Sequence, residues 1–144
     1  MSVAAIAELL GGTKVLKKKV GTASDLVNLT REGLPADILP ALAAELSMDR
    51  KAVAQAVGIT ERTLSRRLST RSRLSSVESD RTVRLARVLA LANETLGDIS
   101  KASRWLQTPN RVLQGRTPFE LLDTDAGVQS VETVLGRIAY GVYS

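Results

Sequence analysis

Apolar residues recur at intervals of three and four along most of this chain, and this spacing constrains the fold more than any other feature. It is the period of a helix with one buried face, and it is clearest over residues 36–48, 79–97 and 124–139. Aromatic residues make up only 3% of the 144 residues, whereas alanine and leucine recur throughout, which favours helices over sheets. The sequence therefore predicts an all-α protein.

Capping residues indicate where several helices begin and end. Ser24 and Gly33 are expected to bound one helix, because serine is a favoured N-cap and glycine commonly follows a C-terminus. Asp98 is expected to cap a short helix that ends before Pro109. The stretch Thr117–Glu120 combines a capping-box pair with proline at the first helical position, so it predicts a further helix start.

Composition excludes much catalytic chemistry. The chain has neither histidine nor cysteine, which removes histidine-based triads, cysteine nucleophiles, Cys/His metal sites and disulfides. Serine and lysine are the remaining activatable pair, but no Ser-x-x-Lys occurs. We therefore expect a protein without enzymatic activity, catalytic residues, metal or cofactor. No apolar run reaches about 18 residues, so we expect no membrane contact, and the lack of cysteine agrees with a cytoplasmic location.

The net charge of +5 is concentrated in the middle of the chain. Residues 49–105 carry 12 basic and 6 acidic residues, whereas residues 1–48 carry 5 of each and residues 106–144 carry 3 and 4. A local excess of this kind favours a polyanionic partner without identifying it.

The central basic region, residues 49–74, has the pattern of a helix-turn-helix. Ala54 lies four residues before Gly58, where two helices would cross closely and the glycine can adopt the left-handed conformation of the turn. Asp49 and Thr60 stand where the N-caps of the two helices are needed.

Arginine, threonine and serine lie largely off the apolar stripe of the second of these helices, and further arginines follow it. Such a helix can enter the major groove, where arginine reads guanine and hydroxyls contact phosphates or base edges. The alternative is a solvated face on an ordinary αα-hairpin. We expect binding to operator DNA, as a homodimer that reads two half-sites, through Thr60, Arg62, Thr63, Ser65, Arg66, Arg67, Arg71 and Arg73.

Other polar and aromatic groups have more ordinary interpretations. The lysine run at 14–19 is either a phosphate-contacting arm or a solvated segment, and the solvated interpretation is favoured. Arg81, Arg84 and Arg87 form one ridge that either touches phosphates or, as we expect, forms salt bridges to neighbouring acids. Trp105, Leu106 and Phe119 are expected to pack a core, and Asp123 and Asp125 beside Thr124 to complement a helix start.

From Gly58 onward the chain resembles antitoxins of the Xre/MbcA/ParS class, the partners of RES-domain toxins. The matching phrases are GITERTLSRRL at 58–68, SDRTVRLARVLALA at 79–92, WLQTPNRVLQGRTPFELLDTDAG at 105–127 and GRIAYGVYS at 136–144. The resemblance implies a type II antitoxin that neutralises an NAD-consuming RES-domain toxin by direct binding. It also implies repression of the antitoxin's own operon, and the alternative is an Xre-family repressor without a toxin partner.

The resemblance places the toxin contact at the end of the chain, near the entrance to the toxin's active site. The residues carried over are Arg137, Tyr140, Gly141, Val142, Tyr143 and Ser144. Two tyrosines near an arginine also have the chemistry of interface hot spots, and a terminus can enter a cleft. The alternative is that Tyr140 or Tyr143 packs against this domain's own core.

These interpretations give a three-part organisation. We expect an N-terminal arm over residues 1–20, with a short amphipathic piece, and a helix-turn-helix DNA-binding domain over residues 21–76. A small helical toxin-binding domain would occupy residues 77–144. The arm lies outside the resemblance, so we expect it to be dispensable for neutralisation.

Overall fold

The computed structural model describes residues 2–141, and within that range it is all-α, as predicted. Its helices are α1 (Val3–Leu9), α2 (Gly12–Leu16), α3 (Ala23–Glu32), α4 (Ile38–Leu46), α5 (Arg50–Ala56), α6 (Glu61–Thr70), α7 (Ser76–Leu96), α8 (Ile99–Leu106) and α9 (Asp125–Ala139). Two 3-10 turns, Arg111–Leu113 and Phe119–Leu121, lie between α8 and α9. None of these helices is long and apolar enough to cross a bilayer.

Helix α7 lies at the centre of the molecule and packs against α1, α3, α8 and α9. Its apolar positions Leu85, Val88, Leu89 and Ala92 are almost completely buried, as their spacing predicts. The buried residues form one cluster that runs from Ile6 to Leu135. One continuous core therefore joins the region of the helix-turn-helix to the C-terminal helices.

Buried hydrogen bonds connect α7 to the loops of the helix-turn-helix region. The Leu34 N–H donates to Oγ of the fully buried Ser79 at 2.8 Å, and the Leu74 N–H donates to the Leu34 carbonyl at 2.7 Å. Each pairing satisfies a backbone group that would otherwise be buried without a partner.

Several predicted caps are confirmed. Asp49, Thr60, Asp98 and Thr124 each accept a backbone N–H in the first turn of α5, α6, α8 and α9. Helix α3 begins slightly earlier than predicted, because Thr22 rather than Ser24 is its N-cap. Thr22 and Asp25 form a complete capping box there, and the N–H groups of Gly21 and Thr22 hold the pKa of the Asp25 carboxyl below its ordinary value.

The helix predicted to start at Thr117 is only one 3-10 turn. Thr117 Oγ1 does accept the Glu120 N–H at 3.2 Å, so the capping contact is present. The chain then packs at once against the start of α9, where a Cβ placed on Gly127 would lie 1.8 Å from the Leu121 carbonyl oxygen. The capping residues therefore predict correctly where the turn starts, but the packing of Leu121 against Gly127 limits the turn to a few residues.

The segment predicted as an N-terminal arm is different in the structure. It forms α1 and α2, and Ile6, Leu10, Leu16 and Val20 are buried in the shared core. Lys18 from the lysine run pairs with Glu32 at the end of α3, which lowers the pKa of the Glu32 carboxyl. Residues 2–20 are thus part of the folded body, because their few apolar side chains find partners on α4 and α7.

Candidate functional site

The helix-turn-helix is formed by α5, the turn at Val57–Thr60 and α6. Ala54 and Val57 are fully buried, and Gly58 adopts the left-handed conformation with φ +83°, as expected. The space beside Gly58 is filled by Arg81 of α7, whose Nη1 lies 3.4 Å from the Val57 carbonyl oxygen. A Cβ at position 58 would lie 2.4 Å from that same Nη1, so glycine is required by its neighbour as well as by its φ.

The exposed face of α6 carries Arg62, Ser65 and Arg66 on one stripe. Within residues 2–141 neither Arg62 nor Arg66 has an ion pair or a side-chain hydrogen bond, so both guanidinium groups are free for an external anion. Arg50 joins this face from α5, because its Nη2 donates to Ser65 Oγ at 3.2 Å and its Nε lies 3.9 Å from Glu61 Oε1.

Arg50 is a residue that the sequence analysis missed. The sequence does show that Arg50 directly follows the Asp49 cap at the start of the first helix. It does not show that the N-terminal turns of α5 and α6 lie on the same side of the protein, which is what brings Arg50 beside α6.

Thr60 and Thr63 lie at the start of α6 and are engaged in capping it. Thr60 Oγ1 accepts the Thr63 N–H at 3.1 Å, and the two hydroxyls are 3.0 Å apart. A helix N-terminus held in this way still presents backbone N–H groups and hydroxyls to an approaching phosphate.

Two of the predicted DNA-contacting arginines have partners within the protein. Arg67 pairs with Glu78 of α7, and Arg73 Nη1 donates to the Gly33 carbonyl at 2.7 Å. Partial burial raises the pKa of Glu78, but hydrogen bonds from Arg67 and the Ser75 N–H more than offset this, so that pKa lies below its ordinary value of 4.5. The structure thus separates Arg67 and Arg73 from the stripe of Arg62 and Arg66, while Arg71 stays exposed at the end of α6.

Two of the three arginines of the ridge on α7 form salt bridges, as predicted, whereas Arg81 contacts the Val57 carbonyl instead. Arg84 lies 3.5 Å from both Asp80 and Asp125, and Arg87 forms a bidentate pair with Glu132 of α9 at 3.1 and 3.2 Å. The contacts of Arg84 with Asp125 and of Arg87 with Glu132 hold α9 against α7 in addition to the apolar packing of the two helices.

Trp105 and Phe119 pack partly buried against the core beside Leu106, as predicted. Near them, Ser103 Oγ and Gln107 Nε2 both donate to the Leu46 carbonyl, at 2.5 and 2.7 Å, which joins α8 to the end of α4.

The predicted toxin-contacting segment begins at the end of α9. Tyr140 follows the helix as its C-cap residue and is 88% exposed, so it does not pack against this domain's own core. Arg137 is exposed on the last turn, and Gly141 has φ +71°. Val142, Tyr143 and Ser144 lie outside the described residues.

Together these features define a helix-turn-helix protein with a second helical unit that ends in an exposed tyrosine. Comparison with known families agrees with both halves. Residues 25–87 match the antitoxin Xre-like helix-turn-helix domain, and residues 91–141 match the antitoxin Xre/MbcA/ParS C-terminal toxin-binding domain. The chain belongs to the Xre/MbcA/ParS antitoxin family.

Individual relatives cover nearly the whole chain. Antitoxin Xre of Yersinia enterocolitica (serotype O:8 / biotype 1B) is 31% identical over 92% of this chain and 93% of its own length. Antitoxin Xre of Photorhabdus laumondii is 33% identical over 81% of this chain and 79% of its own. The Prs ADP-ribosylating antitoxin of Sphingobium sp. strain YBL2 is 25% identical over 83% and 81%.

Proposed function

We propose that this protein is the antitoxin of a type II system and neutralises an NAD-consuming RES-domain toxin by binding it directly. The end of the chain would occlude the toxin's active site. The observation that carries this proposal is Tyr140, which stands 88% exposed at the end of α9, within the region that matches a toxin-binding domain. A large aromatic ring left in water on a chain with few aromatics is the side chain expected of a binding hot spot.

Inhibition by occlusion requires a rigid support and a projecting end. Helix α9 supplies the support, because Val128, Val131 and Leu135 are buried and Glu132 is held by Arg87. Gly141 adopts the left-handed conformation directly after Tyr140, the conformation that commonly ends a helix. Arg137, Tyr140 and the residues that follow would then enter the toxin's cleft, and the antitoxin would act without catalysis of its own.

The same chain would bind its operator through α6 and so regulate its own operon. Among residues 2–141, Arg62 and Arg66 have no ion-pair or hydrogen-bond partner for their guanidinium groups on the exposed stripe, and the N-terminal turn of α6 carries Thr60 and Thr63. Because one such helix makes few base contacts, we propose that a homodimer reads two half-sites. Both activities would take place in the cytoplasm, where DNA and toxin are accessible.

Co-expression with the product of the adjacent reading frame tests the function. The antitoxin proposal predicts that the two proteins purify as a complex and that this protein restores growth of cells expressing its neighbour. A repressor without a toxin partner would bind the upstream DNA but form no complex and protect no cells. The Arg62→Ala/Arg66→Ala variant is the matched control, because it should lose DNA binding and keep protection.

A further inference from the structure

A cleft of about 480 Å³ lies beside the C-terminal end of α6. One wall is the end of α2 with Lys17, another is the turn before α4 with Asp37, and the third is the end of α6 with Arg67, Arg71 and Arg73. Four cations therefore face one carboxylate across a concave surface, which gives the cleft a positive potential that favours an anion.

Two of these four cations have no partner among residues 2–141. Arg67 is paired with Glu78 and Arg73 with the Gly33 carbonyl, so both serve mainly to hold the walls in place. Lys17 and Arg71 are exposed, and within residues 2–141 neither has an ion pair or a side-chain hydrogen bond. They project from different walls, one from the N-terminal segment and one from the helix-turn-helix.

The backbone at both positions is unusual. Lys17 is the C-cap of α2 with φ +62°, and Arg71 is the C-cap of α6 with φ +54°. A residue with a side chain is strained in this region by about 1 kcal/mol, which roughly equals what a cation gains from the helix dipole. The helix dipole therefore about offsets the strain, and both cationic side chains line the cleft.

We propose that this cleft binds a backbone phosphate of DNA next to the bases that α6 faces, so that the N-terminal helices form part of the DNA-contacting surface. The proposal rests on the proposed DNA binding by α6 and extends it to a segment outside the helix-turn-helix. Arg71 directly follows α6, five residues after Arg66, so the cleft lies beside the C-terminal end of the helix that carries Arg62 and Arg66. An arginine fork and a lysine ammonium on opposite walls are suited to the oxygens of one phosphate.

The test measures how DNA affinity depends on salt for variants of the full-length protein. Fluorescence anisotropy would be recorded from about 50 to 200 mM salt on a duplex from upstream of its own gene and on an unrelated duplex of equal length. Lys17→Gln and Arg71→Gln should each lower the slope of log affinity against log salt by about 0.9, as loss of one phosphate contact does. Both duplexes should lose affinity by the same factor, because a phosphate carries no sequence information.

The lysine run itself offers the matched control. Lys19 is exposed two residues further on but lines a different cleft, with Lys14 and Glu8, so Lys19→Gln removes the same charge from another place. Lys19→Gln should keep the wild-type slope, and Lys17→Arg should keep it too because arginine also binds phosphate.

The outcomes separate this proposal from the function on which it rests. If the wild-type protein binds DNA while Lys17→Gln and Arg71→Gln keep its slope, the cleft assignment is overturned and DNA binding by α6 stands. If the wild-type protein binds neither duplex, DNA binding itself is overturned, and the cleft with it. Circular dichroism establishes that each variant folds, and the two variants probe the two walls of the cleft independently.

Discussion

At the scale of the residue, the sequence showed that α6 is rich in arginine but not which arginines are free. The apolar positions Leu64 and Leu68 indicate which side of the helix faces inward, and this correctly places Arg62 and Arg66 on the exposed stripe. Arg67 is held by Glu78, eleven residues away on the next helix, and Arg73 by the Gly33 carbonyl, forty residues away. Such partners come from tertiary packing, which a local spacing rule cannot supply.

The arginines of α6 are therefore expected to separate into two functional groups. Arg62→Ala and Arg66→Ala should weaken operator binding, by about 1–3 kcal/mol for a lost bidentate base contact or by about one unit of salt slope for a lost phosphate contact. Arg67→Ala should mainly lower the free energy of unfolding, by about 1.5 kcal/mol or more, because it removes a charged hydrogen bond from Glu78. Anisotropy and urea denaturation measure the two effects.

The two groups of variants should affect different properties: Arg62→Ala and Arg66→Ala operator binding, and Arg67→Ala the free energy of unfolding. If Arg67→Ala left the free energy of unfolding unchanged and weakened operator binding as much as Arg62→Ala is expected to, the position of Arg67 against Glu78 would be incorrect.

Glu78 should make stability depend on pH in the acid range. Its pKa is lower in the folded protein than its ordinary value of 4.5, so its contribution is complete above that value and is lost as the pH falls through the folded pKa. The wild-type protein should exceed Glu78→Gln in unfolding free energy at about pH 6, and the gap should narrow from about pH 5 downward. Urea denaturation of both proteins between about pH 6 and pH 3 measures this gap, and a gap constant over the range would refute the assignment.

At the scale of the element, helices with a clear apolar pattern or a capping residue were predicted well, whereas the two short N-terminal helices were not. Helix α7, with 21 residues and a clear stripe, was recognised with its boundaries nearly correct. Helices α1 and α2 have only 7 and 5 residues, too few for a periodic pattern to stand out. Short helices of this kind are stabilised by packing rather than by propensity, so the sequence suggested an arm where the structure has buried side chains.

The N-terminal helices are accordingly expected to support the fold. Leu10→Ala should lower the free energy of unfolding by about 2–5 kcal/mol, because Leu10 is fully buried and its loss leaves a cavity. Glu8→Ala, at an exposed position of the preceding turn, is the matched control and should change stability by less than about 0.5 kcal/mol. If the two variants had equal free energies of unfolding in urea, residues 1–20 would not contribute to the core, and the arm predicted from the sequence would be correct.

At the scale of the whole molecule, the fold class and the two candidate surfaces followed from the sequence, but their connection did not. One core joins them through α7, whose residues contact both the helix-turn-helix region and α9. Arg81 fills the space beside Gly58, and Arg87 holds Glu132, so a single helix supports both sites. The domain boundary predicted at 76/77 falls at the first residue of that helix.

The central claim is that the end of the chain inhibits the toxin by occupying its active site. Its most direct test is NAD consumption by the proposed RES-domain toxin, titrated with the wild-type protein and with a variant that lacks residues 140–144. Because Asp125–Ala139 remains intact in that variant, α9 should stay folded and bound to α7, which circular dichroism would verify. The Arg62→Ala/Arg66→Ala variant serves as the control, since its changes lie on α6. We predict that the wild-type and control proteins stop NAD consumption while the truncated protein leaves it running; full inhibition by the folded truncation would contradict the account.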